Sequence, residues 1–224
     1  MTVFSPFEVV LASPAPRVFG LAFAPSLLRA PSFAWLTPEE SARAATMQAR
    51  RRRAQFASGR WLLRHAAGRV FGEGNWLLRP SEERPLVVAA DGLAASASLS
   101  HSADLVLCAV GRVETVGVDV EQIRPRADWE GLARFALHPN EHHRLKGLSE
   151  TRRWQGLYQT WTFKEALAKA LGLGLFTLPF DRIAISREGL IEEAPEDERL
   201  RAPQWQLRPL SLGEGFAAAI AWRA

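Results

Sequence analysis

The sequence of 224 residues predicts an α+β protein, and two observations carry that prediction. Helix-period segments alternate with short strand-period segments along the whole chain, and neither kind dominates. A long helix, a short strand and "SLSHSADLVLCAV" in the first half are also answered by a long helix, a short strand and "PLSLGEGFAAAIA" in the second. That weak echo suggests an internal repeat, with halves at 1–112 and 113–224 and any shared site at their junction.

The elements follow in order. Residues 38–70 read as one helix, with Thr37 as N-cap, Pro38 at the first position and Glu39 and Glu40 in the first turn. Proline and glycine then punctuate a region in which "PLVVAA" is a short strand and "DLVLCAVG" a stronger one. A turn near Gly111 leads to "VGVDVEQIRPR", a strand that Pro125 ends. Helical spacing returns at 129–135, 139–148 and, most clearly, 152–171, which glycines close. Strand-like segments follow at 183–186 and 204–209, and "GFAAAIAW" ends the series.

Composition narrows the function. Hydrophobic residues make up 47% and charged ones 23%, which suits a globular domain and leaves no membrane-spanning run. Cys108 is the single cysteine, so no disulfide framework exists and a reducing, cytoplasmic setting is expected. The net charge of +4 is unevenly spread: 13 − 8 = +5 over residues 1–112 and 15 − 16 = −1 over 113–224. Eight arginines and no acid lie between Ser41 and Gly72, which implies a polyanionic partner. Walker loops, GxGxxG, HExxH and GxSxG are all missing. "HPNEHH" offers His138, His142 and His143 without a second ligand pair, and reads as the start of a surface helix.

Two stretches carry chemistry. In "VGVDVE", Val116, Val118 and Val120 take one side of the strand and Gly117, Asp119 and Glu121 the other. Both carboxylates leave one face, where a shared hard cation would relieve their repulsion. Alone, the pattern reads first as a solvated edge strand with two acids facing water. The second stretch is "TWTFKEALAKALGLGL", which holds Lys164 and Lys169, two of only three lysines in a chain with 25 arginines. Tyr158, Trp161, Glu165 and Lys169 fall on one helix face, while Phe163, Leu167 and Leu171 point away. Asp119, Glu121 and Glu165 together would make an oxygen site for magnesium, with Lys169 one turn on to meet a phosphate.

These residues resemble the 4′-phosphopantetheinyl transferases of the surfactin-synthetase-activating type. "GVDVE" and "WTFKEALAKALG" match in order and spacing, as do "SLSHS" and "FALHPNE", over roughly residues 50–180. The resemblance implies a pseudo-twofold pair of similar α+β halves, the 4′-phosphopantetheinyl transferase fold. It implies transfer of the phosphopantetheine arm of coenzyme A to a serine of an apo acyl or peptidyl carrier protein, with release of 3′,5′-ADP. Asp119, Glu121 and Glu165 would hold Mg2+ (or Mn2+), Glu165 would also serve as base, and Lys169 would stabilise the pyrophosphate. Coenzyme A contacts would come from Arg53, Arg60, Arg84, Ser100, His101, Lys164 and Lys169. Two departures fall on the nucleotide side: Ala97 and Ser98 replace an aromatic and an amide, and Glu83 replaces a glycine. A monomer acting on an acidic carrier, and neither nucleic acid nor a membrane, is expected, since pI ≈ 9.9 favours an acidic partner. The rival is a non-catalytic basic binder of coenzyme A or single-stranded nucleic acid.

Overall fold

A computed structural model of the chain describes residues 5–224 except 13–14, 31, 80–86, 91, 174–176 and 202–204. The first half runs β1 (Pro6–Val9), β2 (Arg17–Ala22), α1 (Pro38–Ala45), α2 (Arg50–Phe71), β3 (Leu77–Arg79), β4 (Val87–Ala90), β5 (Leu93–Ser102) and β6 (Leu105–Gly111). The second runs β7 (Thr115–Gln122), α3 (Trp129–Ala136), α4 (Pro139–Lys146), α5 (Glu150–Ala170), β8 (Ala184–Ile185), β9 (Ile191–Glu193), α6 (Glu198–Arg201), β10 (Gln206–Pro209) and β11 (Phe216–Arg223). None of the helices described is long and apolar enough to cross a membrane.

The echo between the halves is topological. In the first, β2 precedes the long helix α2, and the hairpin β5–β6 follows with β6 returning beside β2. In the second, β7 precedes α5, and the hairpin β10–β11 follows with β11 returning beside β7. Sheet orders β2-β6-β5 and β7-β11-β10 are therefore the same pattern twice. The fold is a pseudo-twofold pair of α+β halves.

Period-two alternation stacks the layers. Val18, Leu105, Leu107, Val116, Val118, Val120, Ala218 and Ile220 meet between the sheets. The opposite faces bury Phe19, Leu21 and Val106 under α2, and Ala219 and Ala221 under α5. Gly117 lets α5 come close: a Cβ there would lie 1.9 Å from the Ala166 carbonyl oxygen. Thr115 ties the same helix down by donating its hydroxyl to the Ala170 carbonyl.

The predicted helix over 38–70 is two helices. The capping box of Thr37 and Glu40 starts α1 as expected. It stops at Thr46, whose hydroxyl donates to the Arg43 carbonyl at 2.8 Å, and α2 begins only at Arg50. A side chain that bonds its own backbone competes with helix continuation. "SLSHS" is the C-terminal half of β5. His138 caps α4 through a capping box with Glu141, so "HPNEHH" is a helix start.

Candidate active site

The site lies where β5 of one half runs beside β7 of the other. These strands do not share a main-chain ladder. Instead Ser98, Ser100 and Ser102 of β5 accept the N–H groups of Val118, Val120 and Gln122 at 3.1, 3.3 and 3.0 Å. Serine at alternate positions puts every hydroxyl on one face of the strand, and each replaces a carbonyl partner.

Asp119 and Glu121 leave β7 on the face covered by α5. Asp119 is 4% exposed. Its Oδ1 accepts from Ser100 Oγ at 2.8 Å and Lys169 Nζ at 2.7 Å, while its Oδ2 is buried with no partner among the described residues. Glu121 accepts from Ser102 Oγ at 2.9 Å. Burial, and next the Asp119 charge, hold its carboxyl above the ordinary range. Glu165 is buried on α5, and no hydrogen bond reaches its carboxylate among the described residues. Burial first and Asp119 second push it up to about 7, against the pull of Lys169. Lys169 spends its ammonium on Asp119, Ser100 and the Val118 carbonyl.

Among the described residues no three His, Cys, Asp or Glu side chains are gathered closely enough to form a metal shell. The donor set nevertheless fits a hard divalent cation: all oxygens, one of them a buried orphan, with two of the three carboxyls driven toward protonation by burial and by the Asp119 charge.

The nucleotide-side expectations divide. His101 is partly buried, and burial, then Arg52 of α2, keep its imidazole below the usual histidine range. The charges of Lys169 and Asp119 also act on it, in opposite directions. Arg53 is half-exposed near the start of α2. Arg60 lies over the Phe56 ring at 4.7 Å and 3.4 Å from Glu40, which leaves it 15% exposed. Ser100 uses its proton and both lone pairs within the protein. Arg84 lies outside the described residues. Lys164 is corrected: it is 0% exposed and donates to Glu141 and to the carbonyls of Ala136 and Phe180, so it holds the core and cannot reach a ligand.

Sequence reasoning missed Glu141, the partner of Lys164, because its spacing marks only a capping box. The acid-free arginine run was read from the sequence, but inside one long helix and not at the start of a second. Arg50–Arg53 begin a helix with no acid in its first turn and no side-chain cap. Cations there oppose the helix dipole, an arrangement that an anion would relieve. Beside them Ser26, Leu28, Arg29, Arg50 and Arg51 line a groove of about 690 Å³.

The model of the 4′-phosphopantetheinyl transferase superfamily matches residues 115–221, which run from the carboxylate strand to the end of the second half. The 4′-phosphopantetheinyl transferase HetI of a Nostoc species is 33% identical over 193 residues, covering 84% of this chain and 78% of HetI. The chain belongs to this superfamily. The transferase is also 32% identical over 126 residues to the 4′-phosphopantetheinyl transferase AcpT of Escherichia coli, covering 54% of this chain and 59% of AcpT. Among solved structures, a holo-(acyl-carrier-protein) synthase of Bacillus anthracis in complex with CoA has a TM-score of 0.39 and 23% identity, over 48% of this chain and 92% of that one.

Proposed function

We propose that this phosphopantetheinyl transferase is magnesium-dependent, takes coenzyme A as donor and modifies a serine of an apo carrier protein, releasing 3′,5′-ADP. The observation that carries the reading is Glu165. It is a buried carboxylate without a hydrogen-bond partner among the described residues, held near pKa 7 beside Asp119 and Glu121. A base poised near neutral pH is what deprotonation of a serine hydroxyl requires.

Asp119, Glu121 and Glu165 would hold the cation. When bound, it supplies charge neutralisation for the pyrophosphate of coenzyme A. Glu165 takes the proton of the carrier serine, whose oxygen attacks the phosphorus on the pantetheine side. The bond to the ADP-side bridging oxygen breaks. Lys169 lies within one turn of Glu165 and stabilises the charge left on that oxygen. Arg53, Arg60, Arg84 and His101 hold phosphates of the nucleotide end, with the arginines at the start of α2 as a general anion funnel.

The carrier would dock beside α3. Phe135 is 44% exposed there, and its ring lies 5.8 Å from that of Trp161, on the helix that bears Glu165. An acidic carrier would be steered to this basic, monomeric, cytoplasmic protein.

Intact-mass measurement of apo carriers incubated with coenzyme A and Mg2+ tests the reading. One added phosphopantetheine, lost with EDTA and with Glu165→Gln, is the expected result. Unchanged mass on fatty-acid, polyketide and peptide-synthetase carriers alike would sink it.

A further inference from the structure

We propose that Ser100 and Ser102 are positioning residues: each holds one carboxylate of β7 so that a single, defined oxygen is presented to the cation. The inference rests on the reading that Asp119 and Glu121 bind that cation. The three serines make the same bond to β7, but they are otherwise unlike. Ser98 accepts from Val118 N–H and meets no carboxylate among the described residues. Ser100 accepts from Val120 N–H and from Lys169, which fills both lone pairs and leaves its proton for Asp119 Oδ1. Ser102 accepts from Gln122 N–H and gives its proton to Glu121 Oε2.

The consequence is selective. Ser100 and Lys169 together occupy Oδ1 of Asp119 and leave the buried Oδ2 without a partner among the described residues. Ser102 occupies Oε2 of Glu121, and no hydrogen bond reaches its Oε1 among the described residues. Each carboxylate is fixed in rotation by one of its oxygens and offers the other. The half that bears no metal ligand therefore sets the geometry of the ligands in its neighbour. Groups that orient metal ligands from behind change metal affinity by about 10–100-fold when removed.

Ser98 supplies the internal control, since it makes the same cross-strand bond and is as buried as Ser100. The test is titration of the full-length protein with Mn2+, without coenzyme A, with bound ion counted by electron paramagnetic resonance. Ser100→Ala and Ser102→Ala should each weaken Mn2+ binding about 10–100-fold. Ser98→Ala should lower the melting temperature as much and leave Mn2+ affinity within about twofold of wild type. Ser102→Thr, which keeps the hydroxyl, should bind as wild type does. Excess Mg2+ should return the transfer rate of Ser100→Ala toward wild type. Mn2+ affinities of Ser100→Ala and Ser102→Ala equal to that of Ser98→Ala would overturn the inference alone. A wild type with no Mn2+ site sensitive to Asp119→Asn would overturn the cation reading and this inference together.

Discussion

Lys164 and Lys169 stand on the same helix, roughly 140° apart around its axis, and each pairs with a carboxylate from elsewhere in the chain. Lys164 meets Glu141 with side-chain exposures of 0% and 2%. Lys169 meets Asp119 with exposures of 29% and 5%. Burial draws the Lys164 ammonium down to about 8, which still leaves it charged at neutral pH and bonded to three acceptors. One pair is sealed inside the second half and the other opens at the seam between halves. Identical chemistry thus does two jobs, and solvent access separates them: a sealed pair resists change, while an accessible ammonium can exchange partners.

The largest expected effect breaks the sealed pair. Lys164→Ala strands the Glu141 carboxylate and should destabilise the fold by about 3–5 kcal/mol in urea unfolding. Lys164→Met with Glu141→Leu should recover only part of that loss: the apolar pair removes both charges at once, but it takes partners from the His138 and Ile185 N–H groups and from the Ala136 and Phe180 carbonyls. Lys169→Ala should do the converse, slowing transfer about 10²–10³-fold while changing stability by only about 1 kcal/mol. Equal damage to stability from both alanines would erase the distinction.

Gly117→Ala tests the surface on which both lysines depend. Its methyl would meet the Ala166 carbonyl, so α5 must move, at a stability loss of about 1–3 kcal/mol. Transfer should fall with it, since Glu165 and Lys169 ride on that helix. The smallest effect is a pH dependence. The folded pKa of Glu165, about 7, exceeds its ordinary value of 4.5, so the folded state holds the proton more tightly. Its contribution is present below pH 4.5 and is lost as pH rises through 7. Without Mg2+, wild type should therefore lose about 1–2 kcal/mol relative to Glu165→Gln between pH 5 and 8, after allowance for screening. Mg2+ should raise the melting temperature more at pH 8 than at pH 5.5.

The carboxylate strand was legible because a period of two has only two faces: valines on one face forced Gly117, Asp119 and Glu121 onto the other. The face of α5 was legible too, and Glu165 and Lys169 do meet Asp119 there through charge or contact. Lys164 was misread because motif adjacency says nothing of the turn between neighbours on a helix, and its partner Glu141 lies 23 residues away. The break between α1 and α2 was hidden in one threonine hydroxyl. The seam was invisible, since nothing in "SLSHS" tells whether serines face water or another strand.

That seam also bears on how the chain finds its register. Its three hydroxyls are identical teeth at a spacing of two residues, and β7 offers an N–H at the same spacing. A slip of two residues keeps every side chain on its proper face and still engages two teeth, Ser98 with Val120 and Ser100 with Gln122. The slipped chain loses the notch at Gly117 and drives Asp119, or Thr115 if the slip runs the other way, into the Ala166 carbonyl. Glycine at one position is therefore the key that lets an otherwise repetitive lock close one way, and misregistered chains are rejected by bulk before any charge is matched.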